Sequence, residues 1–111
     1  MNRNTLKTLR LLAVAVATTI FAGSAIASAE AGKKKAEPCK ACHGEGGMSK
    51  SPDFPVLAGQ NADYIVAVLT HYKNGKRKNP IMQGQVANLS VRDINDLAAY
   101  YSSQTGLMVR Y

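Results

Sequence analysis

Apolar residues recur at helical spacing in the middle of the chain. Within residues 62–74 they fall three or four positions apart, at Ile65, Val68, Leu69 and Tyr72. This spacing predicts a helix over Ala62–Asn74 with these side chains on its buried face. We expect Asn61 to cap the start of this helix and Gly75 to end it.

The same period returns near the end of the chain. Its apolar positions within residues 90–103 are Val91, Ile94, Leu97, Ala98 and Tyr101. We predict a last helix there, with a buried face made of these five residues. Ser90 and Asp93 form a start that resembles a capping box, with Asp in place of Glu or Gln.

The rest of the chain predicts one more helix and two loops. Residues 31–41 are rich in Ala and Lys and predict a helix, in which Pro38 is a misfit because proline removes a backbone donor. Residues 44–59 and 76–89 hold most of the glycines and prolines and predict loops. No β-alternation is sustained. The expected fold is therefore all-α, with three main helices and two long loops, and such loops in a small domain are usually functional.

The first 29 residues have the layout of a secretory signal peptide. A basic segment, residues 1–10, precedes an uncharged stretch, residues 11–22, and small residues follow up to Ala27-Ser28-Ala29. An uncleaved membrane anchor is the alternative, but the uncharged stretch is shorter than the roughly 20 apolar residues that a membrane span needs. We predict cleavage after Ala29, with Ala25-Ile26-Ala27 as a second site. The mature domain is then residues 30–111, exported to the periplasm and without a membrane span.

Removal of the leader also changes the charge. The whole chain has 111 residues, with 14 Lys+Arg against 7 Asp+Glu, for a net charge of +7. The leader carries Arg3, Lys7 and Arg10 and no acid, so the mature domain keeps a smaller positive charge. Export and the lack of an aromatic platform argue against nucleic acid as the partner of these charges. So small a domain buries little surface and is expected to need a disulfide, a metal or a cofactor.

Both cysteines lie in the run Cys39-Lys40-Ala41-Cys42-His43. The C-x-x-C-H pattern is typical of covalent c-type haem attachment. Residues i and i+3 share a helix face, so two thiols at this spacing can bond the two vinyl groups on one haem edge. The next residue then places an imidazole under the ring. We predict one covalent haem c, attached at Cys39 and Cys42, with His43 as an iron ligand.

Three other sites could use the same cysteines. A zinc site needs four ligands, a number that is supplied by Cys39, Cys42, His43 and His71. A thioredoxin-like redox pair would need a βαβ context, which is not visible. An ordinary disulfide would leave His43 without a role. Haem explains the contiguous run and the export signal together.

A low-spin electron carrier needs a second axial ligand to iron. The side chains available are those of Met48, His71, Met82 and Met108. Met48 follows His43 too closely to reach the opposite face of the ring. Met108 lies near the chain end, and His71 is expected to face solvent. Met82 remains, in a loop stiffened by proline, and a Met/His pair raises the reduction potential and leaves iron no open position.

Together these motifs resemble the class I c-type cytochromes, in particular the small bacterial cytochrome c-553/c4-like group. Tyr64 and four segments in family order carry the resemblance: residues 39–44 (CKACHG), 55–60 (PVLAGQ), 77–82 (RKNPIM) and 96–101 (DLAAYY). The resemblance implies the cytochrome c fold, with its first and last helices crossing. It also implies haem links at Cys39 and Cys42, with His43 and Met82 as axial ligands.

Further contacts around the haem are implied by the same resemblance. The Pro55 carbonyl is expected to accept a hydrogen bond from the His43 ring and to fix its orientation. Tyr64, Arg77 and Asn79 are expected near the haem propionates.

The function implied is that of a monomeric one-electron carrier, not an enzyme, between redox protein donors and acceptors. Basic residues are a candidate docking face for acidic partners: Lys33, Lys34, Lys35, Lys40, Lys73, Lys76, Arg77 and Lys78. One alternative is a haem subunit held permanently in a dehydrogenase or oxidase complex. Another is an enzyme or gas sensor, which requires that Met82 does not bind iron.

Overall fold

Pro38 divides the first predicted helix into separate elements. The computed structural model describes residues 26–106, so leader residues 1–25 and Met108 lie outside the described part. Helix α1 spans Ala29–Lys35, a 3₁₀ turn follows over Glu37–Cys39, and α2 spans Lys40–His43. Pro38 lies in the first turn of the 3₁₀ element, where its missing N–H breaks no helical hydrogen bond. The continuous helix predicted over residues 31–41 is wrong for this reason.

Helix α3 forms where the sequence predicts it, over Ala62–Asn74. The Asn61 side chain accepts a hydrogen bond from the Tyr64 N–H at 3.2 Å and caps the helix start. Gly75 ends the helix at a φ of 81°, in the left-handed region that favours glycine. Only Ile65 of the predicted apolar stripe is buried, and the other three residues are half-buried.

A short helix occupies part of the second predicted loop. Helix α4 spans Pro80–Val86 and starts at Asn79, whose Oδ1 accepts from the N–H groups of Ile81 and Met82 at 3.0 and 3.1 Å. Pro80 lies in the first turn, where a helix needs no N–H. The loop predicted over residues 76–89 is therefore wrong in its central part.

Helix α5 spans Val91–Ser102 and confirms the last predicted helix. Its capping box is present: Ser90 Oγ accepts the Asp93 N–H at 3.1 Å, and Asp93 Oδ2 accepts the Ser90 N–H at 2.8 Å. Four of the five predicted buried residues are buried, namely Ile94, Leu97, Ala98 and Tyr101. Val91 is 78% exposed, so its predicted burial is wrong; the buried face of α5 begins one turn later.

The first and last helices pack closely against each other. Helix α1 makes its main contact with α5, and the two backbones meet at Gly32. A Cβ atom on Gly32 would collide with the Asp96 carbonyl oxygen and lie 2.7 Å from Tyr100 Cβ. The surrounding core consists of Ala36, Ile65, Leu97, Ala98, Tyr100 and Tyr101.

The all-α prediction is confirmed. Residues 26–106 contain helices and turns but no β-strand. Within the same residues no helix combines the length and the apolar character that a membrane span requires.

Candidate haem-binding site

The C-x-x-C-H motif spans the junction between the 3₁₀ turn and α2. Cys39 is the last residue of the turn, while Cys42 and His43 lie in α2. Gly44 ends α2 at a φ of 77°, and a Cβ atom there would lie 2.6 Å from the Met48 carbonyl oxygen. Both cysteines are partly exposed and form no disulfide. The motif therefore presents two accessible thiols followed at once by a buried imidazole.

Contacts from the following loop fix the orientation of the His43 ring. The ring is 7% exposed, and its Nδ1 lies 2.9 Å from the Pro55 carbonyl oxygen, the contact that the resemblance implied. Because a carbonyl can only accept, Nδ1 carries the proton and donates, which leaves the Nε2 lone pair for a metal. The Phe54 ring meets the imidazole edge-on, with centroids 6.4 Å apart and planes at 66°.

Cys39 joins the motif to the hydrophobic core. It packs against the core beside Tyr101, and burial raises the pKa of its thiol. Tyr101 is 3% exposed, and within residues 26–106 its Oη has no hydrogen-bond partner. Burial, with a smaller effect of Cys39, raises the pKa of the Tyr101 phenol, which stays protonated at neutral pH. An unpartnered buried hydroxyl beside the first cysteine fits a site that a further group completes.

The other candidate iron ligands lie on α3, on α4 and in the loop after α2. Met82 is half-buried on α4, where its N–H is held by Asn79. His71 is half-buried on α3, and Met48 is 47% exposed. In the described range no three side chains of His, Cys, Asp or Glu are grouped so that they could hold a metal ion. The four zinc ligands that the sequence offered are thus not brought together there.

Two of the three residues expected near the propionates lie close to each other. The Tyr64 hydroxyl raises the pKa of the Arg77 guanidinium, and Tyr72 adds to this effect. The guanidinium carbon of Arg77 lies 5.2 Å from the centroid of the Tyr72 ring, a cation–π contact. The third residue, Asn79, uses its side-chain oxygen to cap α4.

Sequence reasoning did not predict the contacts that Phe54 and Tyr72 make in this region. Phe54 directly precedes Pro55, and its contact with His43 has no signature of its own in the sequence. Tyr72 did appear in the apolar stripe of α3. The position of Tyr72 in that stripe predicts burial. Its contact with Arg77 instead depends on the path of the chain after Gly75, where the helix ends.

Ion pairs engage two of the eight basic residues of the candidate docking face. Lys35 Nζ lies 2.7 Å from Asp93 Oδ1 and 2.6 Å from Asp96 Oδ2. Lys40 Nζ lies 2.8 Å from Glu37 Oε1. These two lysines therefore contribute little net positive charge to the surface.

Comparisons with known proteins give consistent matches. A protein-family model described as "Cytochrome C oxidase, cbb3-type, subunit III" matches residues 27–100. The chain is 46% identical over 80 residues to cytochrome c4 of Pseudomonas aeruginosa, covering 72% of this chain and 40% of that protein. It is 43% identical over 79 residues to cytochrome c-554(548) of Halomonas halodenitrificans, covering 68% and 95%. The crystal structure of reduced recombinant cytochrome c4 from Pseudomonas stutzeri matches with a TM-score of 0.69 at 43% identity, covering 72% of this chain and 47% of that one.

The all-helical fold, the C-x-x-C-H motif and these matches define a class I c-type cytochrome. The chain belongs to the family of the cbb3-type subunit III model, and the resemblance stated from the sequence is confirmed. Members of this class carry covalently bound haem c, and Cys39 and Cys42 fit its attachment motif. The chain spans 40% of the cytochrome c4 of Pseudomonas aeruginosa but 95% of the length of cytochrome c-554(548).

Proposed function

We propose that this protein is an exported, periplasmic one-electron carrier. Its haem c is linked to Cys39 and Cys42, and its iron is bound by His43 and Met82. The observation that carries the proposal is the orientation of His43, because the bond from Nδ1 to the Pro55 carbonyl leaves Nε2 as the metal-binding nitrogen. When bound, haem supplies an iron centre that changes its oxidation state by one electron.

The surroundings of His43 suit a ligand that must not move during electron transfer. The ring is anchored at Nδ1, packed against Phe54 and buried. An imidazole held in this way keeps its position when the charge on the metal changes, which keeps the reorganisation cost low. The Pro55 bond also makes Nε2 a more basic ligand.

Met82 suits the second axial position. It is half-buried in the first turn of α4, and the Asn79 cap fixes its backbone. A thioether ligand raises the reduction potential because it favours ferrous iron. With both His43 and Met82 bound to it, the iron would have no open position for a substrate or gas, as an electron carrier requires and an enzyme or gas sensor does not.

The thioether links would tie the haem to the most buried part of the protein. Cys39 packs against the core that α1 and α5 build, and Tyr101 lies beside it. Covalent attachment also prevents loss of the haem after export. Arg77 and Tyr64 remain the residues we expect to bind the propionates, because a guanidinium and a phenol both donate to carboxylates.

The basic residues at the end of α3 and in the loop that follows it are the best candidates for docking. Lys73 in the last turn of α3, and Lys76 and Lys78 in the loop, are exposed and precede the helix that carries Met82. Positive charge near the haem edge would accelerate encounter with acidic redox proteins, and salt would weaken the effect. The lysines of α1 lie elsewhere in the chain, and Lys35 is engaged by two aspartates.

A pair of matched variants tests this docking surface. Lys76→Gln with Lys78→Gln removes two charges near Met82, and Lys33→Gln with Lys34→Gln removes two on α1. Reduced protein is mixed with an anionic and a cationic small-molecule oxidant at low salt. We expect the first variant to slow the anionic reaction more than the second does, and added salt to remove the difference. Equal rates for both variants would contradict docking at this surface.

The proposed function as a whole is tested by redox titration and peptide mapping of the purified protein. We expect a single one-electron wave, and haem mass on the peptide that contains Cys39 and Cys42. Acidified acetone should leave the colour on the protein. A colourless protein after extraction, or a metal content of zinc without iron, would contradict the proposal. Size-exclusion chromatography of native extract should give a monomer, and co-elution with a large complex would favour the bound-subunit alternative.

A further inference from the structure

A buried carboxylate on α5, that of Asp96, binds the start of α1. The Asp96 side chain is 1% exposed. Its Oδ1 accepts the Ser28 backbone N–H at 2.8 Å, and its Oδ2 accepts Lys35 Nζ at 2.6 Å. Lys35, and then the Ser28 N–H, hold the pKa of Asp96 below its ordinary value, so the carboxylate is charged at neutral pH.

The cluster around Asp96 holds two negative charges but only one close positive charge. Lys35 also lies 2.7 Å from Asp93, so one ammonium serves two carboxylates. Within residues 26–106, Lys35 is the only partner within 4.0 Å in a salt bridge to either aspartate. Arg92 is exposed and acts on Asp96 only weakly, from a longer distance. One more positive charge at Ser28 would balance the cluster.

Ser28 is an integral part of α1. Its Oγ accepts the Ala31 N–H at 3.2 Å and caps the helix. Its carbonyl oxygen accepts the Gly32 N–H at 2.9 Å, at the residue where α1 meets α5. Ala27, the preceding residue, is exposed and takes no part in a helix.

We propose that the leader is cut between Ala27 and Ser28, and that the new amino terminus of Ser28 forms an ion pair with Asp96. The cut hydrolyses one peptide bond with one water: Ala27 becomes a carboxylate, and the Ser28 nitrogen becomes an ammonium. Ala25 and Ala27 supply the two small residues that leader cleavage requires. The existing Ser28 N–H bond to Asp96 becomes charge-assisted, which strengthens it.

The other cleavage site, after Ala29, gives a poorer folded product. It would remove every hydrogen bond of Ser28 and leave Asp96 Oδ1 without its backbone donor. It would also place the new ammonium on Glu30, inside the first turn of α1. A positive charge there is unfavourable because the free N–H groups of a helix start are themselves partly positive. After the cut at Ala27 the ammonium instead faces a carboxylate.

Amino-terminal sequencing of the processed wild-type protein tests the proposal without any variant. The full chain is expressed in a bacterial host that exports it, and the product is purified from the periplasm. We expect the first residue to be Ser28. This inference rests on the proposed export, so an intact leader would overturn both. A start at Glu30 or at any other processed position would overturn only the inference drawn here.

Two leader variants distinguish the two cleavage sites, because each variant removes a small residue that only one of the sites requires. Ala29→Leu blocks a cut after residue 29, and Ala25→Leu blocks a cut after residue 27. We expect Ala29→Leu to keep the Ser28 start and Ala25→Leu to lose it. Loss of that start in Ala29→Leu, or its survival in Ala25→Leu, would contradict the proposal.

The ion pair itself is tested on haem-loaded chains with defined starts. A foreign leader is fused directly before Ser28 or directly before Glu30, so that each product begins at a known residue. We expect a lower denaturant midpoint for the chain that starts at Glu30. Asp96→Asn should shrink this difference. Equal midpoints for the two wild-type starts would overturn the role given to the Ser28 ammonium.

Discussion

The side of the molecule built by α1 and α5 is closed by protein contacts, whereas the side that carries Met82 is open. Helix α5 buries six of its residues, but α4 buries only Val86. At Gly32 two backbones touch, while Ile81, next to Met82, is 61% exposed. Direct protein contacts therefore define much of the geometry of the first side. The second has few protein contacts to hold it, so we expect the iron–sulfur bond to supply part of its order.

The largest difference between the two sides is expected for glycine substitutions. Gly32→Ala inserts a methyl group between two backbones, and we expect a loss of about 3 kcal/mol in the free energy of unfolding. Gly84→Ala places the same methyl group in α4, where no atom other than neighbouring backbone of the helix lies within 4 Å. It should raise stability by about 0.5–1 kcal/mol because alanine favours the helix. Denaturant unfolding measures both, and equal effects would contradict the comparison.

The next effect is expected at Asp96 and depends on pH. Because its pKa is lowered in the folded state, its contribution to stability is present above the ordinary carboxyl pKa. The contribution is lost as the pH falls below that value toward the folded pKa. Asp96→Asn should therefore be less stable than wild type at neutral pH, and the gap should narrow below about pH 4.

Asp53→Asn is the matched control for Asp96→Asn, because Asp53 is exposed in the loop before Phe54. It should leave the pH profile of unfolding close to that of wild type. A gap between wild type and Asp96→Asn that stays constant down to pH 3 would refute the assigned charge state.

Removing the helix cap on either side should cost a similar amount of stability, but only one of the two changes should also affect the reduction potential. Ser90→Ala on α5 and Asn79→Ala on α4 each remove a capping side chain, at a cost of about 1 kcal/mol. Only Asn79→Ala should also lower the reduction potential, because the cap holds the backbone of Met82. An unchanged potential in Asn79→Ala, or a lowered one in Ser90→Ala, would argue against separate roles.

The smallest effect is expected at Val91, the residue whose burial was wrongly predicted. Val91→Ser should change stability by less than about 0.5 kcal/mol, since the side chain is 78% exposed. Ile94→Ala, one turn later, should cost about 2–5 kcal/mol because Ile94 is 3% exposed. Thermal unfolding of the two variants side by side checks this, and a large loss in Val91→Ser would show that α5 is buried from its first residue.

Features that depend on neighbouring residues could be predicted from the sequence. The caps at Asn61 and Ser90 involve residues three positions apart, and both are present. Helix α4 had such a signal too, because Asn followed by Pro is a common helix start. The loop-forming tendency of Pro80 and Gly84 masks this signal. The break at Pro38 could likewise have been expected from its missing N–H.

Features that depend on distant residues could not be predicted in this way. The burial of Asp96 follows from contact with Ser28, 68 positions away, and Lys35, 61 positions away. No pattern in either helix marks Gly32 as the point of closest approach. At the site, the motif itself located Cys39, Cys42 and His43, while the Pro55 contact came from the family resemblance alone.

The central claim, that Met82 binds the haem iron opposite His43, is tested most directly by comparing Met82→Ala with Met48→Ala. The measurement is the absorption spectrum of the oxidised protein together with its reduction potential. We predict that Met82→Ala loses the weak charge-transfer band of a thioether–iron bond and that its potential falls. Met48 is 47% exposed, and its variant should keep both. A Met82→Ala protein with the wild-type band and potential would contradict the account.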